Sequence, residues 1–162
     1  MDSQTSLTPP TRFAYVNPGV SRGAYPTLRN FRFLSRLQLK TIVSLTPEPP
    51  TADLVLFADM AGIQLVHLQV TRLCPLSEGL QETIINAVNV CVEAKTHPVY
   101  VHCLDGRRIS SLVVLLLRRL QGWAPLYCLS EFWRYQVERG TKELEAFAGK
   151  CGNVLLPESM PK

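Results

Sequence analysis

No CxxC pair occurs among the five cysteines, which stand at 74, 91, 103, 128 and 151. That scatter argues against a clustered metal site, and an odd count argues against a secreted fold stapled only by disulfides. The first residues, MDSQTSLTPPTR, have no apolar core, so no signal peptide is expected there. The longest strongly apolar run, LVVLLL at 112–117, stops at Arg118 and Arg119. It is far too short to span a bilayer. The formal charge is only +4, and no long basic stripe or aromatic–basic interleaving is present. That balance modestly favours acidic partners and gives little support for nucleic acid. Together these absences predict a cytoplasmic protein in a reducing compartment, with neither a nucleic-acid nor a membrane partner.

What is present is enough for one domain. The chain has 162 residues and is 46% hydrophobic, sufficient for a sizeable core. Residues 1–12 are expected to be flexible, 13–150 to form the domain, and 151–162 to be a tail. Two short extended pieces, near Ala14–Val16 and Val20–Arg22, are joined by a turn at Asn17-Pro18-Gly19. Pro26 and Thr27 open a helix over TLRNFRFLSRLQL. KTIVSL (40–45) reads as a buried strand, LVLFADMAG as a helix closed by Gly62, and IQLVHLQV (63–70) as the next strand. After a polar loop, TRLCPLSEG, residues 80–95 form a helix with Ile84, Ala87, Val88, Cys91 and Val92 on one face. VYVHC is the most strand-like segment. A central apolar helix follows over roughly 109–121, then a helix over APLYCLSEFWRYQVERG and a short one over TKELEAFAG. Strand–helix alternation predicts an α/β single domain with a mainly parallel sheet of about 4–5 strands flanked by helices. Ligands of such sheets sit at the carboxyl ends of the strands, where HCLDGRRIS lies.

A tight loop between a buried strand and a helix aims backbone N–H groups at one point, and the helix N-terminus adds its positive end. Such a field favours thiolate over thiol, and Cys103 stands at the strand end. Gly106 lets the loop bend without a Cβ in the cradle. Ser110 is placed to hydrogen-bond the sulfur or to act as a capping residue. His102 is placed to orient the Cys103 backbone.

His102-Cys103-Leu104-Asp105-Gly106-Arg107-Arg108-Ile109-Ser110 resembles the signature loop of the cysteine-dependent tyrosine and dual-specificity phosphatases: His-Cys, five residues, Arg, then Ser or Thr. His102, Cys103, Gly106 and Ser110 match, whereas Ile109 falls on the arginine. The plant and fungal atypical dual-specificity phosphatases are the most similar subgroup. VNPGVSRGAYPTLRNFRFLSRLQLKTIVSLTPEPP resembles their opening, and about residues 14–140 are covered by the likeness. The resemblance implies catalytic roles for Cys103, Asp105 and Ser110 and phosphate binding by Leu104, Gly106, Arg107, Arg108 and the position of Ile109. It also implies a supporting role for His102, and no metal or organic cofactor. It places the Pro-Glu-Pro turn (47–49) beside the active site. The family's arginine takes two phosphoryl oxygens in one planar fork, and isoleucine offers neither donor nor charge. The family's general-acid loop is here TRLCPLSEG, where Glu78 is the only acidic residue. Asp105 would repel phosphate if turned inward, or could act as an acid.

Blander roles stay open beside these. Arg107 and Arg108 can be plain surface residues. Cys74, Cys91, Cys128 and Cys151 read as structural or incidental, His67 as a core or edge histidine, and His97 as a turn residue. Phe132, Trp133 and Tyr135 read as packing. Three functions stay open. The leading one is a phosphatase-like protein of impaired or absent catalysis that binds a phosphorylated small molecule, a phosphoprotein or a protein partner. The second is an active phosphatase for phosphotyrosine or inositol pyrophosphates, working through a phosphocysteine. The third is a scaffold with a vestigial pocket.

Overall fold

The computed structural model describes residues 6–71, 77–136 and 146. A hairpin opens it: β1 (Ala14–Asn17) and β2 (Val20–Gly23) pair antiparallel across the expected Pro18-Gly19 turn. Then follow α1 (Leu28–Arg36), β3 (Thr41–Ser44), α2 (Ala52–Ala61), β4 (Gln64–His67), α3 (Glu78–Val92), β5 (Val99–His102), α4 (Ile109–Leu120) and α5 (Pro125–Arg134). The strands form one five-stranded sheet in the order β1-β2-β5-β3-β4. All pairs but the opening hairpin are parallel. The α/β architecture and the strand count are those the alternation predicts.

The strand period of two sorts side chains onto two cores. Ile42 and Tyr100, neighbours across β3 and β5, face Leu34, Leu54 and Ala58 of α1 and α2. Val43 and Val101, the next pair, face Ile84 and Val88 of α3, Leu112 to Leu117 of α4, and Phe132 of α5. β2, β3 and β5 are buried at every residue. That suits central parallel strands covered on both faces. From Ser110 to Arg118 every residue of α4 is buried, so α4 is the axis of the second core. Its buried leucines, Leu112, Leu115, Leu116 and Leu117, each contribute about 1.5–3 kcal/mol by leaving water.

The observed elements differ locally from those expected. α1 stops at Arg36, three residues short of the expected end, because Gln38 takes a left-handed φ of 52°. β4 keeps four of the eight residues expected; beyond His67 the Leu68 N–H still donates to the Ser44 carbonyl of β3 and the Val70 N–H to the Thr46 carbonyl. α3 begins two residues early, with the Ser77 hydroxyl accepting the Leu80 N–H at its N-terminus. Val92 leaves the expected apolar face and is 48% exposed. Of the segment expected to be flexible, Thr8 and Pro9 accept hydrogen bonds from the Asn30 side chain of α1. The helix expected over TKELEAFAG falls almost wholly outside the described residues, as do Cys74, Cys151 and the C-terminal tail.

Candidate active site

β5 ends at His102, α4 starts at Ile109, and residues 103–108 bridge them at the carboxyl edge of the sheet. Gly106 makes the turn possible. Its φ is +72°, and a Cβ there would stand 2.7 Å from the Ala24 nitrogen and 2.8 Å from the Gly23 carbonyl carbon. Only a residue without a side chain allows this approach of loop to β2.

Cys103 is 2% exposed. Its sulfur accepts the Gly106 N–H at 3.2 Å and lies 3.3 Å from the Ser110 hydroxyl. Ser110 is the second residue of α4, and position 108, which precedes the helix, has no side-chain cap. The hydroxyl thus serves the sulfur and not the helix end. On the outer side, Asp105 Oδ1 accepts the Arg107 N–H at 3.0 Å and sits 3.6 Å from the sulfur. The carboxylate therefore turns into the loop and takes one of the amide donors that an incoming anion would use.

His102 is fully buried. Its Nδ1 is 3.2 Å from the Cys103 carbonyl and its Nε2 is 2.6 Å from the Ser44 hydroxyl. A carbonyl can only accept, so Nδ1 carries the proton and Nε2 accepts from Ser44. Burial lowers the imidazole pKa to about 4, against a smaller upward pull from the Cys103 backbone bond. The ring is neutral at pH 7, and the edge of Tyr25 packs against it. His102 thus links the Cys103 carbonyl to the Ser44 side chain of β3.

Arg22 is the site residue that the pattern of the sequence does not single out. It lies on β2 opposite Val101 and is 1% exposed. Its Nη2 donates to the Gly106 carbonyl (2.6 Å), Ser111 Oγ (2.8 Å) and Ser110 Oγ (3.3 Å). The guanidinium carbon stands 3.9 Å from the centre of the Tyr135 ring. The available signal was an arginine inside a four-residue strand, VSRG, next to Gly23. Three further ties hold the loop from outside. Arg12 Nη1 donates to the Asp105 carbonyl, Gln136 Nε2 to the Arg107 carbonyl, and the Tyr25 N–H to the Leu104 carbonyl. Tyr135, read from its spacing as packing, belongs to this support.

The pocket above the sulfur has a volume of about 180 Å³. Leu45, Pro47, Val70, Leu104 and Ile109 form apolar walls, and Asp105 and Arg108 supply its charges. Pro47 brings the Pro-Glu-Pro turn to the site. Ile109 is half-buried, lines the pocket and packs against the α4 core. Arg108 is exposed, while Arg107 is half-buried and does not line this pocket. A larger cavity of about 650 Å³ opens beside Tyr25 between the starts of α1 and α2, and holds none of the loop residues.

The other residues fall away from the loop. His67 bonds the Thr46 carbonyl from the edge strand, and His97 bonds the Cys91 carbonyl after α3. Cys91 and Cys128 are buried, and burial pushes the Cys91 thiol up to about 12. Among the described residues no three His, Cys, Asp or Glu side chains gather as a metal site, and no helix is long and apolar enough to cross a membrane.

The likeness to known proteins is specific. Residues 7–151 match the family described as the tyrosine phosphatase family. The chain is similar to inositol diphosphatase DSP3 of Arabidopsis thaliana, 30% identical over 149 residues, covering 87% of this chain and 72% of the relative. It is similar to inositol diphosphatase DSP2 of Oryza sativa subsp. japonica, 31% identical over 148 residues, covering 91% and 72%. Its fold is like that of the core catalytic domain of the PP-IP phosphatase SIW14 from S. cerevisiae, with a TM-score of 0.80 at 24% identity, covering 89% of this chain and 87% of that one.

Proposed function

The chain belongs to the tyrosine phosphatase family, and on that premise we propose that it is a phosphatase-like protein of impaired or absent catalysis that binds a phosphorylated ligand. One observation carries this reading: Ile109, which the resemblance of HCLDGRRIS aligns with the family's arginine, lines the same pocket as Cys103. A transferring phosphoryl group needs donors on its equatorial oxygens, and the fork of an arginine supplies two at once. Ile109 supplies none. Arg22 does not replace it, because its guanidinium is buried beneath the loop, outside the lining of the pocket, with Nη2 bonded to Gly106, Ser110 and Ser111. Arg108 is the one cation among the described residues lining the pocket, and it is exposed. Asp105 further disfavours a dianion by placing its own carboxylate 3.6 Å from the sulfur.

Binding is retained in this reading by the backbone. The loop amides and the start of α4 favour an anion whatever the side chain at 109. Arg108, with Arg12 and Arg107 close by in the chain fold, suits a phosphorylated small molecule or phosphoprotein approaching from solvent. The names of the relatives put inositol diphosphates among the ligands to try first.

A second reading, an active phosphatase, is favoured by the hydrogen bonds that converge on Cys103. In it the Cys103 thiolate attacks phosphorus, the leaving-group oxygen departs, and water then hydrolyses the phosphocysteine. A leaving group such as a phosphate would need little protonation. The two readings separate in one set of assays on wild type and Cys103→Ser. Turnover is followed with a small aryl phosphate, a phosphotyrosine peptide and an inositol pyrophosphate, and calorimetry reports binding. Binding without Cys103-dependent turnover is expected. Cys103-dependent turnover would establish the enzyme, and absence of both would leave a scaffold with a vestigial pocket.

A further inference from the structure

Arg22 is unusually placed for a charged residue. Its guanidinium is buried, and its Nε and Nη1 have no hydrogen-bond partner. Among the described residues no carboxylate lies within ion-pair distance of it. The nearby acid on α5, Glu131, pairs with Arg118 at 3.1 Å. A buried cation without a carboxylate is costly unless something else in the site uses it.

What uses it is the pair of groups that touch the sulfur. Gly106 gives its N–H to Cys103 Sγ, and its carbonyl is held by Arg22 Nη2 at 2.6 Å. Ser110 Oγ lies 3.3 Å from the sulfur and 3.3 Å from the same Nη2. A hydroxyl that accepts from a guanidinium has its own proton free to turn toward the sulfur. Ser111, one residue further along α4, anchors the guanidinium at 2.8 Å. The Tyr135 ring closes the remaining side. Burial favours loss of the guanidinium's charge, while Tyr135 and Cys103 favour keeping it.

We infer that Arg22 is a positioning residue for Cys103: from beneath the loop it fixes Gly106 and Ser110 so that both donate to the sulfur. It performs this task with no arginine at position 109. The inference deepens the proposed function without depending on phosphate turnover, because its readout is the sulfur itself.

The test is site-resolved alkylation by iodoacetamide at pH 7, in which the Cys103 thiolate displaces iodide and mass spectrometry quantifies each cysteine. Wild type, Arg22→Met, Arg22→Lys, Ser110→Ala and the two double variants are compared on the full chain. Arg22→Met is expected to slow labelling of Cys103 about tenfold, the scale of a lost hydrogen bond to a charged group. Arg22→Lys keeps the charge, but its shorter side chain ends before the position of Nη2 and lacks the planar group that stacks on Tyr135, so its rate should fall between those of wild type and Met. Because Arg22 acts partly through Ser110, Ser110→Ala should cost less in either Arg22 variant than in wild type.

Buried Cys91 and Cys128 are internal controls. A merely structural Arg22 would, when lost, loosen the fold and raise labelling of all three cysteines. A positioning Arg22 lowers Cys103 alone. Wild-type labelling of Cys103 in folded Arg22 variants would overturn the inference, as would effects of Arg22 and Ser110 that simply multiply. If Arg22→Met does not fold, the cycle through Arg22→Lys carries the same two outcomes.

Discussion

Beneath Cys103 the loop is dense with hydrogen bonds: Gly106 and Ser110 at the sulfur, Arg22 under both, and Ser44 on His102. Above the same sulfur the surface is Leu45, Pro47, Val70, Leu104 and Ile109, with Asp105 turned inward. The floor gathers hydrogen bonds around the sulfur, while the mouth is mostly apolar, with Asp105 and Arg108 as its charged residues. The contrast separates two properties that a signature motif usually joins. Floor residues also serve folding, since Gly106 lets the loop lie on β2 and His102 and Ser44 tie β5 to β3. Of the mouth residues, Leu104 is exposed and Ile109 half-buried, while Leu45 and Val70 belong to the core.

The contrast can be broken most forcefully at Gly106. Alanine there combines a left-handed φ with a Cβ 2.7 Å from the Ala24 nitrogen. Backbone strain and overpacking together should remove about 4 kcal/mol of stability. Urea unfolding of Gly106→Ala against wild type measures this, and an unchanged midpoint would mean that the loop does not press on β2.

Acid tests the floor through His102. Unfolded, this histidine takes a proton near pH 6.5; folded, it stays neutral down to about pH 4. Its effect on stability is therefore constant above about pH 7. Stability is lost as the pH falls through the window from 6.5 to 4 and levels off below it, a loss of roughly 3 kcal/mol. Denaturant midpoints of wild type and His102→Gln, taken across that window, should differ in slope, the variant being the flatter. Parallel slopes would take His102 out of the floor.

The smallest expected change sharpens the mouth. Asp105→Asn removes the inward charge while keeping an acceptor for the Arg107 N–H. Inorganic phosphate, followed by calorimetry, should bind up to about tenfold more tightly, the scale of one lost like-charge contact. Unchanged affinity would show that Asp105 does not compete for the cradle.

Much of this contrast is legible in the residues. The strand–helix alternation specifies the sheet, and HCLDGRRIS points to the loop through its resemblance to a known signature and its glycine at the turn. The positions of Cys103, Gly106 and Ser110 follow from that turn. Arg22 was not legible: its partners are 84 to 89 residues away in the chain, and no local period marks a side chain that works through tertiary contacts. Tyr135 hid in the same way, since helical spacing reports that it packs but not what it packs on. The inward turn of Asp105 is set by the Arg107 amide two residues on, a choice that residue type alone leaves open.

In the proposed function the floor is competent and the residue at 109 withholds catalysis. This is tested most directly by the kcat/KM of Ile109→Arg relative to wild type on a small aryl phosphate, with Ile109→Arg/Cys103→Ser as the blank. Restoring an oxyanion donor of this kind predicts a gain of about 10²–10³ that vanishes in the blank. Equal values for Ile109→Arg and wild type, with the variant folded, would contradict the account.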